Sequence, residues 1–358
     1  MSRNESVDAL RKKIDQIDEK LVSLLNVRAS LARKIGRTKS LNHQEIYAPA
    51  REKEIFRRLG LLNRGPLPDE ALRSIYREVI SASRALEAPL RVAYLGPEAT
   101  YSHAAARERF GTSAALVAAP SIDAVFQEVV QERASFGVVP IENSTEGVVG
   151  QTLDQLVEAD VNICAELFVV IHHCLLSRTG RADRIRRIAS HPQALAQCRG
   201  WLARRFPRAK LEEVASTAQA ALMAKEDGSL GAVCSALARD VYGLEIVAAN
   251  IEDRSNNITR FVVIGKIEPR PTGDDKTSLV FSVKDEPGIL HRMLEPLARN
   301  RINLTKIESR PMKDKPWEYR FFIDFKGHKD EPRVKRALRI LDRGCTTLKI
   351  LGSYPAGT

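Results

Sequence analysis

The spacing of apolar positions changes twice along the chain. Over residues 1–88 apolar side chains recur only at helical intervals, and from Leu90 to about Ile267 short β-rich runs alternate with helical segments. A linker rich in Pro, Gly and Asp, Pro269–Lys276, precedes a last segment with the order β-α-β-β-α-β, which ends near Leu351. The pattern predicts an all-α domain of three helices over residues 1–89, an α/β domain over 90–267 and an α+β domain over 275–355.

The first helix carries an apolar seam at heptad spacing that is interrupted by a cation. Arg28 occupies one seam position, where a charge is costly unless it is paired or its side chain reaches solvent. Arg11 and Lys39 lie on the flank of this seam, and the distance between them is about 42 Å along a straight helix. One small anion cannot contact both. If both bind the same kind of ligand, they belong to different sites, which suggests two long helices, one from each of two subunits, that share pockets. The apolar seam positions are Val7, Leu10, Ile14, Ile17, Leu21, Leu24, Leu31 and Ile35.

Two shorter helices are predicted to follow. Gly36 is expected to loosen the first helix, Pro49 to begin the second and Asn63–Pro66 to end it. Asp69 can N-cap the third helix. The residues expected on the inward face of the third helix are Leu72, Ile75, Val79, Ser83 and Leu86, with Glu87 one turn beyond Ser83.

Residues 5–88 resemble the all-helical chorismate mutase module, in which three helices from each of two chains intertwine around two pockets. The resemblance implies that Arg11 and Arg28 bind the two carboxylates of the substrate. It also implies that Lys39 donates to the ether oxygen whose bond breaks, and that Glu52 receives the ring hydroxyl. The alternative is a basic helical hairpin that only dimerises. The matching positions are Arg11, Arg28, Lys39, Arg51, Glu52, Ser83 and Glu87.

The rearrangement of chorismate to prephenate suits such residues, because it needs no nucleophile and no cofactor. Fixed cations can hold the compact conformer and stabilise negative charge on the ether oxygen. Two positions depart from the best-known enteric pattern: Ala48 stands where that pattern has a pocket Asp, and Glu87 where it has a neutral Gln. Glu87 can donate to the ether oxygen only while it is protonated.

Polar clusters follow the predicted strands of the middle segment, and open α/β sheets place their ligands at strand ends. The first cluster combines a Gly turn, hydroxyl groups and a helix N-terminus, which suits an anion. Neither GxGxxG nor GxxxxGK[ST] occurs, which disfavours nucleotide binding. The clusters are Gly96–Ser102 (GPEATYS), Pro140–Gly147 (PIENSTEG), Ser190–Cys198 (SHPQALAQC) and Thr259–Phe261 (TRF).

In this order the four clusters resemble the prephenate dehydratase domain, over residues 90–266. The resemblance implies two α/β lobes like those of a solute-binding protein, 91–170 with 250–266 and 171–249, with the site in the cleft between them. Thr259 is the implied catalytic group, with Arg260 beside it and Glu142 or a water as its assistant. The other implied substrate contacts are Thr100, Ser102, Asn143, Ser144, Ser190 and Gln197.

The order β-α-β-β-α-β predicts a ferredoxin-like sandwich, a fold that hosts many functions. Glu286–Leu290 and Ile307–Pro311 resemble the two motifs of phenylalanine-binding ACT regulatory domains, and Pro287 suits the first position of a helix. The alternative is a domain that only dimerises. The implied effector contacts are Pro287, Gly288, Ile289, Leu290, Asn303, Leu304, Glu308, Ser309 and Arg310.

Composition narrows the classes of protein. The 358 residues are 44% apolar and 28% charged, as in an ordinary globular protein, with a net charge of +11. A charged N-terminus and short apolar runs predict neither a signal peptide nor a membrane span, and therefore a cytoplasmic protein. The five cysteines are scattered, and the His172–His173 pair would point to opposite faces of a strand, so no metal site is expected.

Together the resemblances imply the bifunctional chorismate mutase–prephenate dehydratase family. Chorismate and prephenate are then the substrates and L-phenylalanine the effector of a homodimer or higher homo-oligomer that uses no cofactor. The runner-up is a ligand-responsive transcription regulator, which would use the +11 charge. A long heptad helix argues against a helix-turn-helix, and so against nucleic acid. A third alternative keeps one activity only and is supported by Ala48 and Glu87.

Overall fold

The computed structural model describes residues 6–41, 47–312 and 319–357. Its helices are α1 (Val7–Leu41), α2 (Pro49–Leu62), α3 (Asp69–Glu87), α4 (Tyr101–Phe110), α5 (Ile122–Val130), α6 (Gly150–Glu158), α7 (Pro192–Gln197), α8 (Arg199–Arg205), α9 (Thr217–Glu226), α10 (Leu237–Tyr242), α11 (Ile289–Arg299) and α12 (Pro332–Gly344). Its strands are β1 (Arg91–Leu95), β2 (Ala115–Ala119), β3 (Phe136–Asn143), β4 (Gly147–Val148), β5 (Asn162–Val170), β6 (Cys174–Ser177), β7 (Arg187–Ser190), β8 (Lys210–Glu213), β9 (Leu230–Cys234), β10 (Glu245–Ala248), β11 (Ile258–Gly265), β12 (Asp275–Ser282), β13 (Leu304–Pro311), β14 (Tyr319–Lys326) and β15 (Thr347–Pro355).

The chain divides into two compact units. The first holds the chain up to Ala48, Glu54–Leu90 and Phe110–Ala115. The second holds Pro49–Lys53, Arg91–Arg109 and the chain from Leu116 onward. The first unit is therefore mainly helical, and the second contains most of the α/β and α+β segments.

In the first unit α1 continues through Gly36, so the expectation that this glycine loosens the helix is wrong. A Cβ atom built on Gly36 would lie 2.8 Å from the Cβ of Glu87. The missing side chain lets α1 and α3 approach closely. α2 begins at Pro49, as predicted, and ends before Asn63.

The apolar stripes of α1 and α3 are only partly covered within the chain. All eight seam residues of α1 are exposed, from Leu10 at 45% to Leu24 at 66%. On α3 the predicted inward face is partly wrong, since Ile75 and Leu86 are about half exposed, whereas Ser83 is buried as expected. The N-cap prediction also fails: α3 begins at Asp69 itself, and no side chain caps it.

The middle segment forms two sheets, which confirms the predicted two-lobed α/β fold. The first has the order β2-β1-β3-β11-β5, with β4 beside β3, and the second has the order β10-β6-β9-β7-β8. The chain passes between the sheets twice, from β5 to β6 and from β10 to β11. Because β11 returns to the first sheet between β3 and β5, it brings Thr259 opposite Asn143.

The last segment forms a four-stranded antiparallel sheet, β13-β14-β12-β15, with the predicted ferredoxin-like order. Alternate residues face opposite sides of a strand. Phe281 belongs to the core shared with α11 and α12, whereas Val280 and Phe322 pack into the core of the first lobe. Apolar contact therefore fixes this domain against the dehydratase-like lobe.

One expectation about this segment needs correction. Pro287 lies outside α11, because Gly288 adopts a left-handed φ of 79° as the N-cap and the helix begins after it. The end of the linker before β12 is held by hydrogen bonds. The Asp275 carboxylate accepts from the backbone N–H groups of Thr272 (2.7 Å) and Gly273 (3.0 Å), because Asp275 lies at the buried start of β12.

Candidate active sites and regulatory domain

In the first unit, Lys39 near the end of α1 meets Glu87 at the end of α3. Their charged atoms are 3.7 Å apart, and the side chains are only 21% and 10% exposed. Burial raises the pKa of Glu87, although the Lys39 ammonium works in the opposite direction. The site therefore favours the protonated carboxyl more than an exposed glutamate would.

Arg28 is paired rather than extended into solvent. Its guanidinium donates to the hydroxyl of Ser83, and that hydroxyl donates in turn to the carbonyl of Val79 at 2.7 Å. These contacts attach Arg28 to the polar side of α3, one turn before Glu87. The structure thus brings Arg28, Lys39, Ser83 and Glu87 together where α1 contacts α3.

The other mutase-like positions do not join that cluster within the first unit. The side chain of Arg11 is 72% exposed and lies 3.5 Å from Asp8. Arg51 and Glu52 belong to the second unit, where the buried Glu52 carboxylate lies 3.7 Å from Arg109. Ala48 occupies the N-cap position of α2 and makes no side-chain capping bond.

In the second unit, Thr259 of β11 lies directly opposite Asn143 of β3. The Asn143 amide nitrogen donates to Thr259 Oγ1 at 2.8 Å. The orientation of this amide is fixed, because its oxygen accepts from the backbone N–H groups of Thr145 (3.0 Å) and Glu146 (3.1 Å). Since Thr259 Oγ1 accepts a hydrogen bond here, its own hydroxyl hydrogen is left to donate to a bound molecule.

Two residues that the motif analysis did not select extend this contact. Asn143 Nδ2 also donates to Asn257 Oδ1 at 2.7 Å, and Asn257 Nδ2 donates to Gln197 Oε1 at 3.0 Å. His173 Nε2 reaches the same Gln197 oxygen at 2.8 Å. Asn257 was detectable in the sequence, since it precedes Thr259 by two residues and such residues share a strand face. The pattern gave no signal for the partnership of His173 with Gln197.

Arg260 and Glu142 lie on the other face of the sheet from Thr259. The buried Arg260 guanidinium bonds Glu166 at 2.8 Å, Asp324 of β14 at 2.6 Å and the Tyr354 hydroxyl at 3.0 Å. Glu142 lies 2.7 Å from Lys306 of β13. The structure therefore brings neither Arg260 nor Glu142 to the Thr259 hydroxyl, and both face the C-terminal domain.

The remaining hydroxyl groups support the backbone around the cleft. Ser190, fully buried, donates to the carbonyl of Val233. Thr100 donates to the carbonyls of Leu95 and Pro97, each at 3.0 Å. The others are Ser144, which donates to the Asn256 carbonyl at 3.0 Å, and Ser102, which is buried in the first turn of α4.

Residues from the second lobe contact the Gly96–Ser102 loop. The hydroxyl of Ser235 donates to the Ala99 carbonyl at 2.8 Å, and that of Tyr242 donates to the Glu98 carbonyl at 3.0 Å. The loop is thus held from both lobes. A helix N-terminus is thereby placed at the edge of the cleft, where its backbone N–H groups favour an anion.

The two regulatory motifs lie at different parts of the ACT-like domain. Gly288 precedes α11 in a left-handed conformation, and no atom lies within 4 Å of the position that a Cβ would take. Ile289 and Leu290 pack against the domain core. The second motif lies on β13, an edge strand, where Arg310 is 3.3 Å from Asp154 of α6. Glu308 and Ser309 lie on the same strand, and Asn303 and Leu304 lie at its beginning.

Family models match all three segments. Chorismate mutase type II matches residues 10–88, prephenate dehydratase residues 92–269 and the ACT domain residues 277–343. The bifunctional chorismate mutase/prephenate dehydratase of Aquifex aeolicus is 50% identical over 98% of this chain and 98% of its own length. The chain belongs to the bifunctional chorismate mutase/prephenate dehydratase family. It accordingly combines a mutase domain, a dehydratase domain and an ACT domain, and carries both enzyme activities.

Solved structures cover the last two domains of this family member. Prephenate dehydratase from Arthrobacter aurescens, in complex with L-Phe, is 34% identical, with a TM-score of 0.69 over 74% of this chain and 90% of that one. GqqA, described as a novel type of quorum quenching acylase, is 33% identical, with the same TM-score of 0.69, over 74% of this chain and 98% of that one. The same fold is thus described once as a dehydratase and once as an acylase, so the fold alone does not identify the reaction. The Aquifex aeolicus relative, which matches the whole chain, identifies it.

The transcription-regulator alternative is set aside by these matches. Across the described ranges, no helix is long and apolar enough to cross a membrane. Within the same part of the chain, no group of three or more His, Cys, Asp or Glu side chains is placed to hold a metal ion.

Proposed function

We propose that the chain is a homodimer or higher homo-oligomer of the cytoplasm that converts chorismate to prephenate and prephenate to phenylpyruvate. Residues 1–89 catalyse the first step and 90–267 the second, without a cofactor. Residues 275–355 bind L-phenylalanine as a feedback inhibitor. The observation that carries the dehydratase assignment is the fixed Asn143 amide, which leaves the Thr259 hydroxyl to donate.

In the mutase pocket, Arg28 and Arg11 bind the two carboxylates of chorismate, and Arg11 comes from a second subunit. Lys39 and protonated Glu87 donate to the ether oxygen as its bond to the ring breaks. Hydrogen bonds that strengthen as charge develops lower the barrier. The buried pairing of Lys39 with Glu87 supports this role. Arg51, Glu52 and Ser83 complete the substrate contacts, with Glu52 receiving the ring hydroxyl.

The exposed seam of α1 supports the second subunit. A helix that leaves all eight seam residues at least 45% exposed requires an apolar partner to be stable in water. A second α1 supplies a matching seam. An intertwined dimer also brings Arg11 to a pocket that Lys39 of the same chain cannot share.

In the dehydratase step, the bond from the ring carbon to the carboxylate breaks and CO2 leaves. The electron pair enters the ring, the opposite C–O bond breaks and an aromatic ring forms. The Thr259 hydroxyl gives its proton to the departing hydroxide, which leaves as water, and a proton from solvent restores the hydroxyl afterwards. The Asn143 amide, at 2.8 Å, stabilises negative charge on Thr259 Oγ1 and makes this weak acid a better donor.

The two carboxylates of prephenate require donors at the edge of the cleft. Gln197 and Ser102 are the proposed side-chain contacts, together with the backbone N–H groups at the start of α4. Ser190 and Thr100, whose hydroxyl hydrogens already go to backbone carbonyls, are proposed to contribute by holding the backbone around the substrate. Ser144 shapes the loop after β3 and contributes through the backbone.

Phenylalanine feedback is supported by the ACT match and by the structure of the Arthrobacter aurescens prephenate dehydratase in complex with L-Phe. The proposed effector contacts are the Pro287–Leu290 turn and Asn303, Leu304, Glu308, Ser309 and Arg310. A glycine at Gly288 leaves the backbone open to a zwitterion.

Incubation of the purified protein with chorismate tests both activities together. We expect phenylpyruvate to accumulate, and a Thr259→Ala variant to accumulate prephenate instead. Release of prephenate by the unaltered protein, with no phenylpyruvate, would contradict the dehydratase assignment. If the protein consumed prephenate but not chorismate, the mutase domain would be inactive, and the chain would keep only the dehydratase activity.

A further inference from the structure

His173 and Asn257 lie in the two segments through which the chain passes between the lobes. His173 lies between β5 and β6, and Asn257 immediately precedes β11. Both are buried, at 3% and 4% exposure. Their side chains meet at one atom, Gln197 Oε1, at 2.8 Å from His173 and 3.0 Å from Asn257.

The backbone contacts of Asn143 determine which group donates and which accepts in each hydrogen bond from Asn143 through Asn257 to Gln197. Asn143 Oδ1 accepts from the N–H groups of Thr145 and Glu146, so its Nδ2 is the donor to Asn257 Oδ1. Asn257 therefore presents its Nδ2 to Gln197, and Gln197 presents its oxygen in return. No choice of amide orientation remains at any of the three side chains.

The same logic fixes the tautomer of His173. Because Gln197 Oε1 is an acceptor, His173 Nε2 carries the hydrogen. His173 Nδ1 lies 2.8 Å from the Tyr101 hydroxyl, whose single hydrogen also faces the His172 carbonyl at 2.8 Å, so with a neutral ring the two acceptors share that hydrogen. Burial lowers the pKa of His173 and so favours the neutral ring.

The amide nitrogen of Gln197 is the one group of this side chain that has no hydrogen-bond partner among the described residues. This atom, Nε2, is buried. The other end of the amide is held by two donors, so this N–H2 group is aimed in a fixed direction. A carboxylate is the acceptor that best satisfies such a donor, and prephenate carries two.

We propose that His173 is a positioning residue of the dehydratase, which holds Gln197 so that its amide N–H2 binds a carboxylate of prephenate. The inference rests on the proposed role of Gln197 as a substrate contact. His173 does not supply the proton that Thr259 donates, because the intervening links are the amides of Gln197, Asn257 and Asn143, which do not relay a proton at neutral pH.

Two substitutions at one position test this role. In His173→Gln the new amide can place an N–H where Nε2 was, whereas in His173→Asn the shorter side chain reaches only toward Tyr101. We expect His173→Asn to raise KM for prephenate about 10- to 100-fold with little change in kcat, and His173→Gln to recover most of that loss. His172→Gln is the matched control, since His172 is half exposed and pairs with Glu252 instead. We expect it to leave KM unchanged.

The double variant His173→Asn/Gln197→Ala separates positioning from general structure. If His173 acts through Gln197, the double variant is no worse than Gln197→Ala alone. Multiplied defects, or equal defects in His173→Asn and His173→Gln, would overturn the inference. If Gln197→Ala itself leaves KM unchanged, the proposed role of Gln197 fails first, and the two failures are thereby distinguished. Mutase activity in the same samples shows that the helical domain is intact.

A measurement on the unaltered full chain needs no variant. The 15N shifts of histidine-labelled protein report which ring nitrogen of His173 carries the hydrogen near neutral pH. We expect hydrogen on Nε2 and an accepting Nδ1. Hydrogen on Nδ1 alone would contradict the bond to Gln197 Oε1 and with it the proposal.

Discussion

Thr259 and Arg260 are neighbours in β11 whose side chains leave the sheet on opposite faces. Thr259 meets Asn143 on the side of the cleft, and Arg260 bonds Asp324 of the regulatory domain at 2.6 Å. One peptide unit thus links the proposed catalytic hydroxyl to the regulatory domain. The Arg260–Asp324 contact is a direct path between β14 and the strand that carries Thr259.

Removal of the Arg260 side chain should destabilise the second unit. Arg260→Ala leaves Asp324 without its guanidinium and leaves Glu166 with Lys276 and the backbone N–H of Gly357. Breaking a buried ion pair typically costs about 3–5 kcal/mol. The check is the urea concentration at which dehydratase activity is lost, with mutase activity followed in parallel.

Arg310→Ala is the matched control for Arg260→Ala. Its pair with Asp154 is longer, at 3.3 Å, and the two side chains are 29% and 24% exposed, so the loss should be about 1 kcal/mol or less. Equal urea midpoints for the two variants would show that the Arg260 network adds nothing beyond an ordinary surface pair.

The two reactions should be separable by single substitutions. Lys39→Ala should abolish mutase activity and leave dehydratase activity near normal, because Lys39 lies in the first unit and the Thr259 site in the second. Thr259→Ala should lower dehydratase kcat by about 100-fold or more, the typical contribution of a positioned acid, and spare the mutase. Thr259→Ser, which keeps the hydroxyl, should retain part of the activity. Loss of both activities from either alanine variant, in folded protein, would contradict the assignment.

The sequence predicted the elements better than the roles within them. Heptad spacing predicted α1, and the β-α-β-β-α-β order predicted the ACT fold, because both follow from local periodicity. The sequence predicted Arg260 beside Thr259 in the site because the two residues are adjacent in the TRF motif. On a strand, adjacent side chains point to opposite faces, so the two do not share a site. His173 meets Gln197 across 24 residues of chain that fold into separate strands and helices, and no local pattern encodes that contact.

Mutase activity should fall as pH rises through the pKa of Glu87. Burial raises that pKa, so the carboxyl stays protonated to a higher pH than an exposed glutamate and can donate to the ether oxygen below it. Above it, the carboxylate repels the developing negative charge. Glu87→Gln, which donates at every pH, should extend activity toward alkaline pH. An identical pH profile of kcat/KM in the two proteins would remove Glu87 from this role.

Gly36→Ala should damage the mutase site by forcing apart the two helices that form it. The new Cβ would lie 2.8 Å from the Cβ and 2.9 Å from the Cα of Glu87, so α1 and α3 must separate. Overpacking of this kind typically costs about 1–3 kcal/mol. Gly60→Ala in α2 is the control, because nothing lies within 4 Å of its added Cβ and alanine favours a helix by about 1 kcal/mol. Thermal unfolding and mutase kcat of both variants check the prediction, which fails if Gly36→Ala matches Gly60→Ala.

Gly288→Val should produce a dehydratase that is active but insensitive to phenylalanine. Gly288 has φ of 79°, a conformation that a β-branched residue resists, so the turn before α11 must change. Feedback typically corresponds to a coupling of about 1–3 kcal/mol, or 5- to 150-fold in affinity. If inhibition acts through affinity, prephenate and phenylalanine must weaken each other's binding by the same factor.

The control for Gly288→Val is Gly288→Asn, since asparagine tolerates a positive φ. Inhibition kept in Gly288→Asn and lost in Gly288→Val points to the backbone conformation as the requirement. Loss in both points to the space beside the turn, where no atom lies within 4 Å of the Cβ position. Both variants are assayed as full chains, by phenylalanine binding and by inhibition of prephenate turnover. Neither binding nor inhibition by millimolar phenylalanine in the unaltered chain would leave the ACT domain without an effector and reduce it to a dimerisation module.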